Sequence, residues 1–208
     1  SMDLTADVLA ALTEAQLKSD QTVVQIHNHS LGKNAEMPRV AADLAVHGYR
    51  VLLQIHDFAE DLRPDNYAHL RKQLGTRLQE ELYPQSESIH YATLNSRDRE
   101  ILLNAGVPND RLHWLPNPVY TPDLPADPIA VRGKMAASQL VPRDHRFLLY
   151  PVRAIARKNV GEALLWALLS DRQTIGITMA PVAAREQKLY QNWIDLAQRF
   201  GIRCRFDL

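Results

Sequence analysis

A basic segment in the carboxyl-terminal third of the chain has the residue types and spacing of an anion site. Arg153, Lys158 and Asn159 lie between a predicted strand and a predicted helix. A helix amino terminus carries free N–H groups and about half a positive charge; a guanidinium adds a planar fork of donors, and an ammonium adds a compact charge. Asn159 and Glu162 also have capping-box spacing, with Asn159 at the N-cap. The segment therefore suits a diphosphate, and a solvated basic turn is the alternative.

Histidines make up a second group of candidate functional residues. His27, Asn28 and His29 follow one apolar run, and His56 follows the next. His27, His29 and His56 could supply the three ligands of a mononuclear zinc hydrolase, although the polar residues after later runs are asparagines, which are poor metal ligands. A hydrogen-bonded structural role is the second interpretation for each histidine. His56 could instead donate a hydrogen bond to a phosphate or sugar oxygen.

Alternating strands and helices must position these residues. Short apolar runs alternate with segments of helical spacing, a pattern that predicts parallel βαβ units in an α/β fold. Such a sheet binds ligands at the carboxyl ends of its strands, where the candidate residues lie. The predicted strands are 22–26, 50–55, 89–94, 112–115, 146–152, 175–179 and 203–206. The continuous apolar run of 22–26 suits burial on both faces of a parallel sheet, and 50–55 is a second buried strand. The predicted helices include 4–17, 38–47, 65–82, 129–139, 160–169 and 186–200, and a further helix capped by Asn95 or Ser96 ends at Gly106.

A proline-rich stretch divides the chain. Residues 116–128 hold five prolines in thirteen positions, too many for a helix interior or a central strand. We predict a first domain over 1–120, a linker and helix over 121–143, and a second domain over 144–208. The first domain opens on a helix, the second has about three strands, and no G-x-G-x-x-G or Walker loop occurs. Both domains are therefore predicted to be incomplete, with an apolar edge near Phe206 that favours self-association.

Composition narrows the classes of partner and compartment. Lys plus Arg and Asp plus Glu are equal at 24 each, so no general attraction to nucleic acid is expected and any anion site must be local. The single cysteine excludes an intramolecular disulfide and favours a cytoplasmic protein. No apolar run reaches the ~20 residues of a membrane-spanning helix, so no transmembrane segment is predicted.

Several segments, taken together, resemble the retaining glycosyltransferases of GT-B type. Their order and rough spacing match that family from the middle of its first domain into its second. The segments are VVQIHNH (23–29), VLLQIHD (51–57), ATLNSRDR (92–99), AGVP (105–108), LPNPV (115–119), and LYPVR with RKN (149–153 and 157–159).

The resemblance implies two Rossmann-like domains with a cleft, a nucleotide-sugar donor in the second domain and an acceptor facing the first. The nucleotide-sugar is a substrate, and neither a cofactor nor a metal is implied. By position, Arg153 and Lys158 correspond to the pair that neutralises the donor diphosphate, and His56 to the histidine that approaches the reacting sugar and phosphate. Asn28 and His29 correspond to a loop that faces the cleft. Family members retain the anomeric configuration without a protein nucleophile, the leaving phosphate taking the acceptor proton.

The sequence departs from the family in two places. The family's acidic motif has two glutamates separated by seven residues, yet only Glu186 follows Glu162. The amino-terminal glycine-rich loop is also missing. The expected function is transfer of a sugar to an unknown acceptor, with activity of this chain alone left open. The alternatives are a non-catalytic α/β binding or interaction module and the metal hydrolase described above.

Overall fold

The chain forms two compact units, each with its own parallel sheet. The computed structural model describes residues 3–61, 63–120, 127–138, 140–142, 144–170 and 173–208. The first unit spans residues 1–120 and the second spans 121–208. Strands and helices alternate in both, which confirms the predicted α/β class. The predicted linker residues 121–126 lie outside the described ranges.

The first unit is built on a four-stranded sheet in the order β1-β2-β3-β4, with every neighbouring pair parallel. Parallel neighbours need a crossover connection, which the helices between the strands provide. The strands are β1 (Val23–His27), β2 (Arg50–Ile55), β3 (Ile89–Thr93) and β4 (Leu112–Trp114). The helices are α1 (Leu4–Glu14), α2 (Met37–Val46), α3 (Pro64–Leu74), α4 (Leu78–Glu81) and α5 (Ser96–Asn104).

The second unit holds a three-stranded parallel sheet in the order β5-β6-β7. Its core forms where Val160 and Leu164 on one helix and Trp193 on another pack against the central strand. The strands are β5 (Arg146–Arg153), β6 (Gln173–Met179) and β7 (Cys204–Phe206), and the helices are α6 (Pro128–Ala137), α7 (Val160–Leu169) and α8 (Ala184–Arg199).

One face of the first sheet carries the core of its unit. Val51, Leu53 and Ile55 alternate along β2 and are all buried, packing in one cluster with Leu44 of α2 and Tyr91 of β3. Burial of each such aliphatic side chain stabilises the fold by roughly 1.5–3 kcal/mol. The residues of opposite parity point to the other face, which combines polar and apolar side chains; its polar members include Gln25, His27, Gln54, His90 and His113.

Two predicted elements differ from the structure. Residues 65–82 do not form a single helix, because Gly75 takes φ +58° and the chain passes through a 3₁₀ turn (Gly75–Arg77) between α3 and α4. Strand β1 is not buried on both faces, since it lies at the edge of the sheet and most of its residues are exposed or half-buried. Neither difference moves the carboxyl end of a strand.

Replacing Leu53 by alanine tests the importance of the first core. Leu53 is 0% exposed, so Leu53→Ala should lower the free energy of unfolding by about 2–5 kcal/mol through lost burial and a residual cavity. Val46 is 84% exposed on α2, and Val46→Ala is the matched surface control, with an expected change within about 0.5 kcal/mol. Urea denaturation followed by circular dichroism measures both. Equal losses in the two variants would contradict the assigned core.

Candidate functional site

Two histidines meet at the carboxyl edge of the first sheet. His27 is the last residue of β1, and His56 directly follows β2. Because the two strands run parallel and His27 lies opposite Gln54, the ring of His27 reaches the ring of His56. The Nδ1 atom of His27 lies 2.8 Å from the Nε2 atom of His56, which is a hydrogen bond between the imidazoles. Within the described residues, the other ring nitrogen of His56 has no hydrogen-bond partner.

Asn28 joins the loops that follow β1 and β2. Its backbone has φ +56°, a left-handed conformation that asparagine tolerates better than most residues. Its Oδ1 atom accepts hydrogen bonds from the backbone N–H groups of His56 (2.7 Å) and Asp57 (3.2 Å). The side-chain oxygen of Asn28 is therefore occupied by backbone hydrogen bonds, and these bonds hold the backbone of His56 in position. Its role as a cleft contact stays a prediction.

His29 turns into the interior of the first unit. Its side chain is 1% exposed, and its ring packs edge-on against Tyr83 and Tyr91. The Nε2 atom lies 3.1 Å from the carbonyl oxygen of Leu82, so Nε2 carries the hydrogen and the buried Nδ1 is left without a partner. Burial lowers the pKa of His29 to about 4, and the bond to Leu82 opposes that shift only in part. The expectation that His29 contacts ligand in a cleft is corrected by this burial.

The three histidines do not converge on one point. The facing nitrogens of His27 and His56 are engaged with each other, while His29 points into the core. Across the described ranges, no group of three or more His, Cys, Asp or Glu side chains could hold a metal ion. The zinc centre predicted as an alternative therefore lacks its ligand set.

The predicted anion segment forms the connection from β5 to α7. Arg153 ends β5 with an exposed side chain, a 3₁₀ turn covers Ala156–Lys158, and α7 begins at Val160 as predicted. Asn159 occupies the N-cap position in a left-handed conformation (φ +49°, ψ +39°), and its side chain makes no capping bond. The predicted capping box is therefore wrong, because a capping side chain requires an extended backbone at that residue.

A bulge sets the direction of the end of β5. Tyr150 pairs with Ile177 and Arg153 pairs with Met179, so β5 carries one more residue than β6 over the same interval. Pro151 lies in that interval and has no N–H to donate, which is tolerated because β5 is an edge strand. A bulge bends its strand and redirects the next side chains, here including that of Arg153.

Two side chains that sequence reasoning did not select hold the basic turn. The hydroxyl of Tyr150 donates to the carbonyl oxygen of Lys158 at 2.6 Å. The backbone N–H of Ala156 donates to the Oε2 atom of Glu186, in the first turn of α8, at 3.3 Å. Within the described part of the chain, neither Arg153 nor Lys158 forms an ion pair. The backbone of the turn is thus held in place, and no carboxylate among the described residues occupies its two cations.

Two α/β units, each with polar loops at the carboxyl edge of a parallel sheet, match half of a GT-B glycosyltransferase in fold. The similarity is to crystal structures of Anabaena HepE, in complex with UDP, with UDP-glucose, and with UDP and glucose. Each has a TM-score of 0.61 and 12–13% sequence identity, and covers 98% of this chain and 50% of the HepE chain.

Sequence comparison points to the same class. The mannosylglucosyl-3-phosphoglycerate synthase of Petrotoga mobilis is 29% identical over 180 residues, which are 83% of this chain and 34% of that protein. No protein-family model matches the chain. The chain is therefore similar in sequence to that synthase and similar in fold to half of a GT-B glycosyltransferase, which confirms the resemblance found in the sequence, and it spans about a third of the curated relative. Among the residues that the structure describes, no helix has the length and hydropathy of a membrane span.

The burial of His29 predicts an acid-sensitive first unit. The pKa of His29 is about 4 in the folded state and has its ordinary value of 6.5 in the unfolded chain. Between these values the unfolded chain binds a proton that the folded protein does not bind. The free energy of unfolding therefore falls as the pH drops from about 6.5 towards 4. Between pH 7 and pH 5 this group should remove about 2 kcal/mol of unfolding free energy. In His29→Gln, which keeps a donor for the carbonyl oxygen of Leu82, the free energy of unfolding should fall by about 2 kcal/mol less between pH 7 and pH 5, as measured by urea denaturation. Identical losses in both proteins would contradict a neutral, buried imidazole.

Proposed function

We propose that this chain is part of a glycosyltransferase that moves a sugar from a nucleoside diphosphate sugar to an acceptor with retention of the anomeric configuration. One observation carries the proposal: a held turn presents two cations, Arg153 and Lys158, that form no ion pair with any residue the structure describes, beside the uncapped amino terminus of α7. The sequence similarity to the Petrotoga synthase and the fold shared with HepE support it.

The basic turn would bind the diphosphate of the donor. Breaking the bond from the anomeric carbon to the phosphate leaves negative charge on the departing diphosphate. Arg153 supplies a planar fork, Lys158 a point charge and α7 its first N–H groups, all of which interact more strongly with the charge of the leaving group than with that of the ground state. The bonds from Tyr150 and Glu186 keep the backbone of the turn in place before the donor binds. Catalysis of this kind needs no protein nucleophile.

His56 is our candidate for direct contact with the reacting sugar or its phosphate. One ring nitrogen of His56 is bonded to His27, and its backbone N–H is bonded to Asn28, so the orientation of the ring is set. The remaining nitrogen, Nδ1, would donate a hydrogen bond to an oxygen of the donor. The acceptor proton would pass to the leaving phosphate, which the two cations keep close to the site of bond breaking.

UDP and UDP-glucose are the first ligands to test, because HepE was crystallised with both. Isothermal titration calorimetry of the chain with UDP should show binding that depends on the diphosphate, with uridine as the ligand control. A chain that binds neither UDP nor other nucleoside diphosphates would favour the non-catalytic module instead.

Removing one cation of the turn should weaken binding without unfolding the protein. Lys158→Ala is expected to reduce the affinity for UDP about 10- to 100-fold, the range for a lost hydrogen bond to a charged group, and to abolish nearly all transfer from the donor in the complete protein. Arg199 lies over the ring of Phe200 in the last turn of α8, so Arg199→Ala makes the same charge change away from the turn. If both variants bind UDP equally well, Lys158 is not a diphosphate ligand.

A further inference from the structure

The hydrogen bond between His27 and His56 is linear. The ring centroids lie 5.1 Å apart, and the facing nitrogens lie 2.8 Å apart. The centroid separation exceeds the distance between the nitrogens by the sum of the two distances from ring centre to nitrogen. That is possible only if the two centroids and the two nitrogens lie on one line. A linear N–H···N arrangement at this distance is the geometry of a strong hydrogen bond. The planes of the two rings are twisted by 39°, which does not disturb that line.

A linear bond of this kind ties together the tautomers of the two rings. A neutral imidazole has one N–H and one bare nitrogen, and only one hydrogen fits between the facing nitrogens. If His56 donates from Nε2, its Nδ1 is bare and can only accept. If His27 donates from Nδ1, then His56 Nε2 is the acceptor and the hydrogen of His56 lies on Nδ1. The direction of one bond thus decides what His56 offers to a ligand.

The function proposed for His56 selects one direction. Donation from His56 Nδ1 to a sugar or phosphate oxygen requires the hydrogen on that atom, and therefore requires His27 to donate to Nε2. We propose that His27 is a positioning residue that holds His56 in its Nδ1–H tautomer. This inference rests on the proposed function, because an accepting role for His56 would demand the opposite tautomer.

The surroundings of His27 are built to keep the pair together. Asn28, next in the chain, is bonded to the backbone of His56, so the two loops cannot separate without breaking those bonds. On the same face, Gln25 Nε2 donates to Gln54 Oε1 at 2.7 Å, and Gln54 Nε2 donates to the carbonyl oxygen of Leu115 at 3.2 Å. The first bond connects β1 to β2 just before the histidines, and the second connects β2 to the residue that follows β4.

A second histidine pair on the same sheet provides a matched control. His90 Nδ1 and His113 Nε2 lie 2.7 Å apart with centroids 5.0 Å apart, so this bond is linear by the same measure. His90 and His113 both precede the carboxyl ends of their strands and line an open cavity of about 420 Å³. The pair therefore reproduces the bond between His27 and His56 away from the proposed site.

Nitrogen NMR can read the tautomers directly. The chain is labelled with ¹⁵N-histidine, and long-range ¹H–¹⁵N spectra are recorded at pH 8.5, well above the ordinary histidine pKa. In the unsubstituted protein we expect a protonated Nδ1 and a bare Nε2 on His56, with the hydrogen of His27 also on Nδ1. A protonated Nε2 on His56 would overturn the proposal without any variant being made.

Substitution then tests whether His27 is the cause. His27→Ala should shift His56 towards the Nε2–H tautomer that free histidine prefers, whereas His90→Ala should alter only the signals of His113. His27→Asn, which keeps a side-chain N–H donor, should restore part of the Nδ1–H signal of His56. An unchanged spectrum of His56 in folded His27→Ala would overturn the proposal.

The outcome is separable from that of the proposed function, because the spectra are recorded without substrate. If His56→Ala retains full transfer activity while the tautomers behave as expected, the catalytic role of His56 fails and the pairing stands. If His56→Ala is inactive but His56 keeps its tautomer in His27→Ala, the positioning role of His27 fails and the catalytic role stands.

Discussion

The parallel pairing of β1 with β2 is the constraint on which the first candidate site depends. Parallel strands end at the same edge of a sheet, so the residues that follow them meet in space although 29 positions separate them in the chain. Here that edge brings the ring of His27 to the ring of His56. Asn28 stabilises this arrangement: its backbone is left-handed, and its Oδ1 atom accepts hydrogen bonds from two backbone N–H groups of the neighbouring loop. A shift of one residue in the register would place the two rings on opposite faces.

In the second unit, the candidate residues also follow the carboxyl end of a strand, but they suit a different kind of chemistry. Its candidate groups are cations and helix N–H groups instead of neutral donors, and they follow an edge strand that carries a bulge. The backbone of the turn is hydrogen-bonded to the side chains of Tyr150 and Glu186. The turn therefore has a defined conformation before an anion binds. Because the chain as a whole has equal numbers of acidic and basic residues, this local arrangement supplies the attraction for an anion that net charge does not.

Three neighbouring polar residues illustrate how tertiary context separates roles that look alike in the sequence. His27 lies exposed at the edge and is bonded to another ring, Asn28 holds two loops together, and His29 is enclosed beside Tyr83 and Tyr91. Burial makes the charged form of His29 costly, whereas Asn28 owes its role to its backbone conformation. An H-x-H pattern suggested shared metal ligation, because residues i and i+2 of a strand share a face. However, β1 ends at His27, and the left-handed backbone of Asn28 turns His29 into the interior.

The order of strands and helices, the α/β class and the resemblance to GT-B glycosyltransferases could be predicted from the amino-acid sequence. These features depend on local or periodic patterns of residues. Strand β2 (Arg50–Ile55) and helix α7 (Val160–Leu169) have the predicted bounds because an apolar run and helical spacing can be recognised in neighbouring residues. The sequence also located the candidate residues, since strand ends are local features. Four features became visible only in the folded chain: Gly75 breaks a helix, Asn159 does not cap one, His29 is buried and His27 pairs with His56. Each of these depends on a backbone conformation or on contacts between distant segments, which no pattern of neighbouring residues specifies.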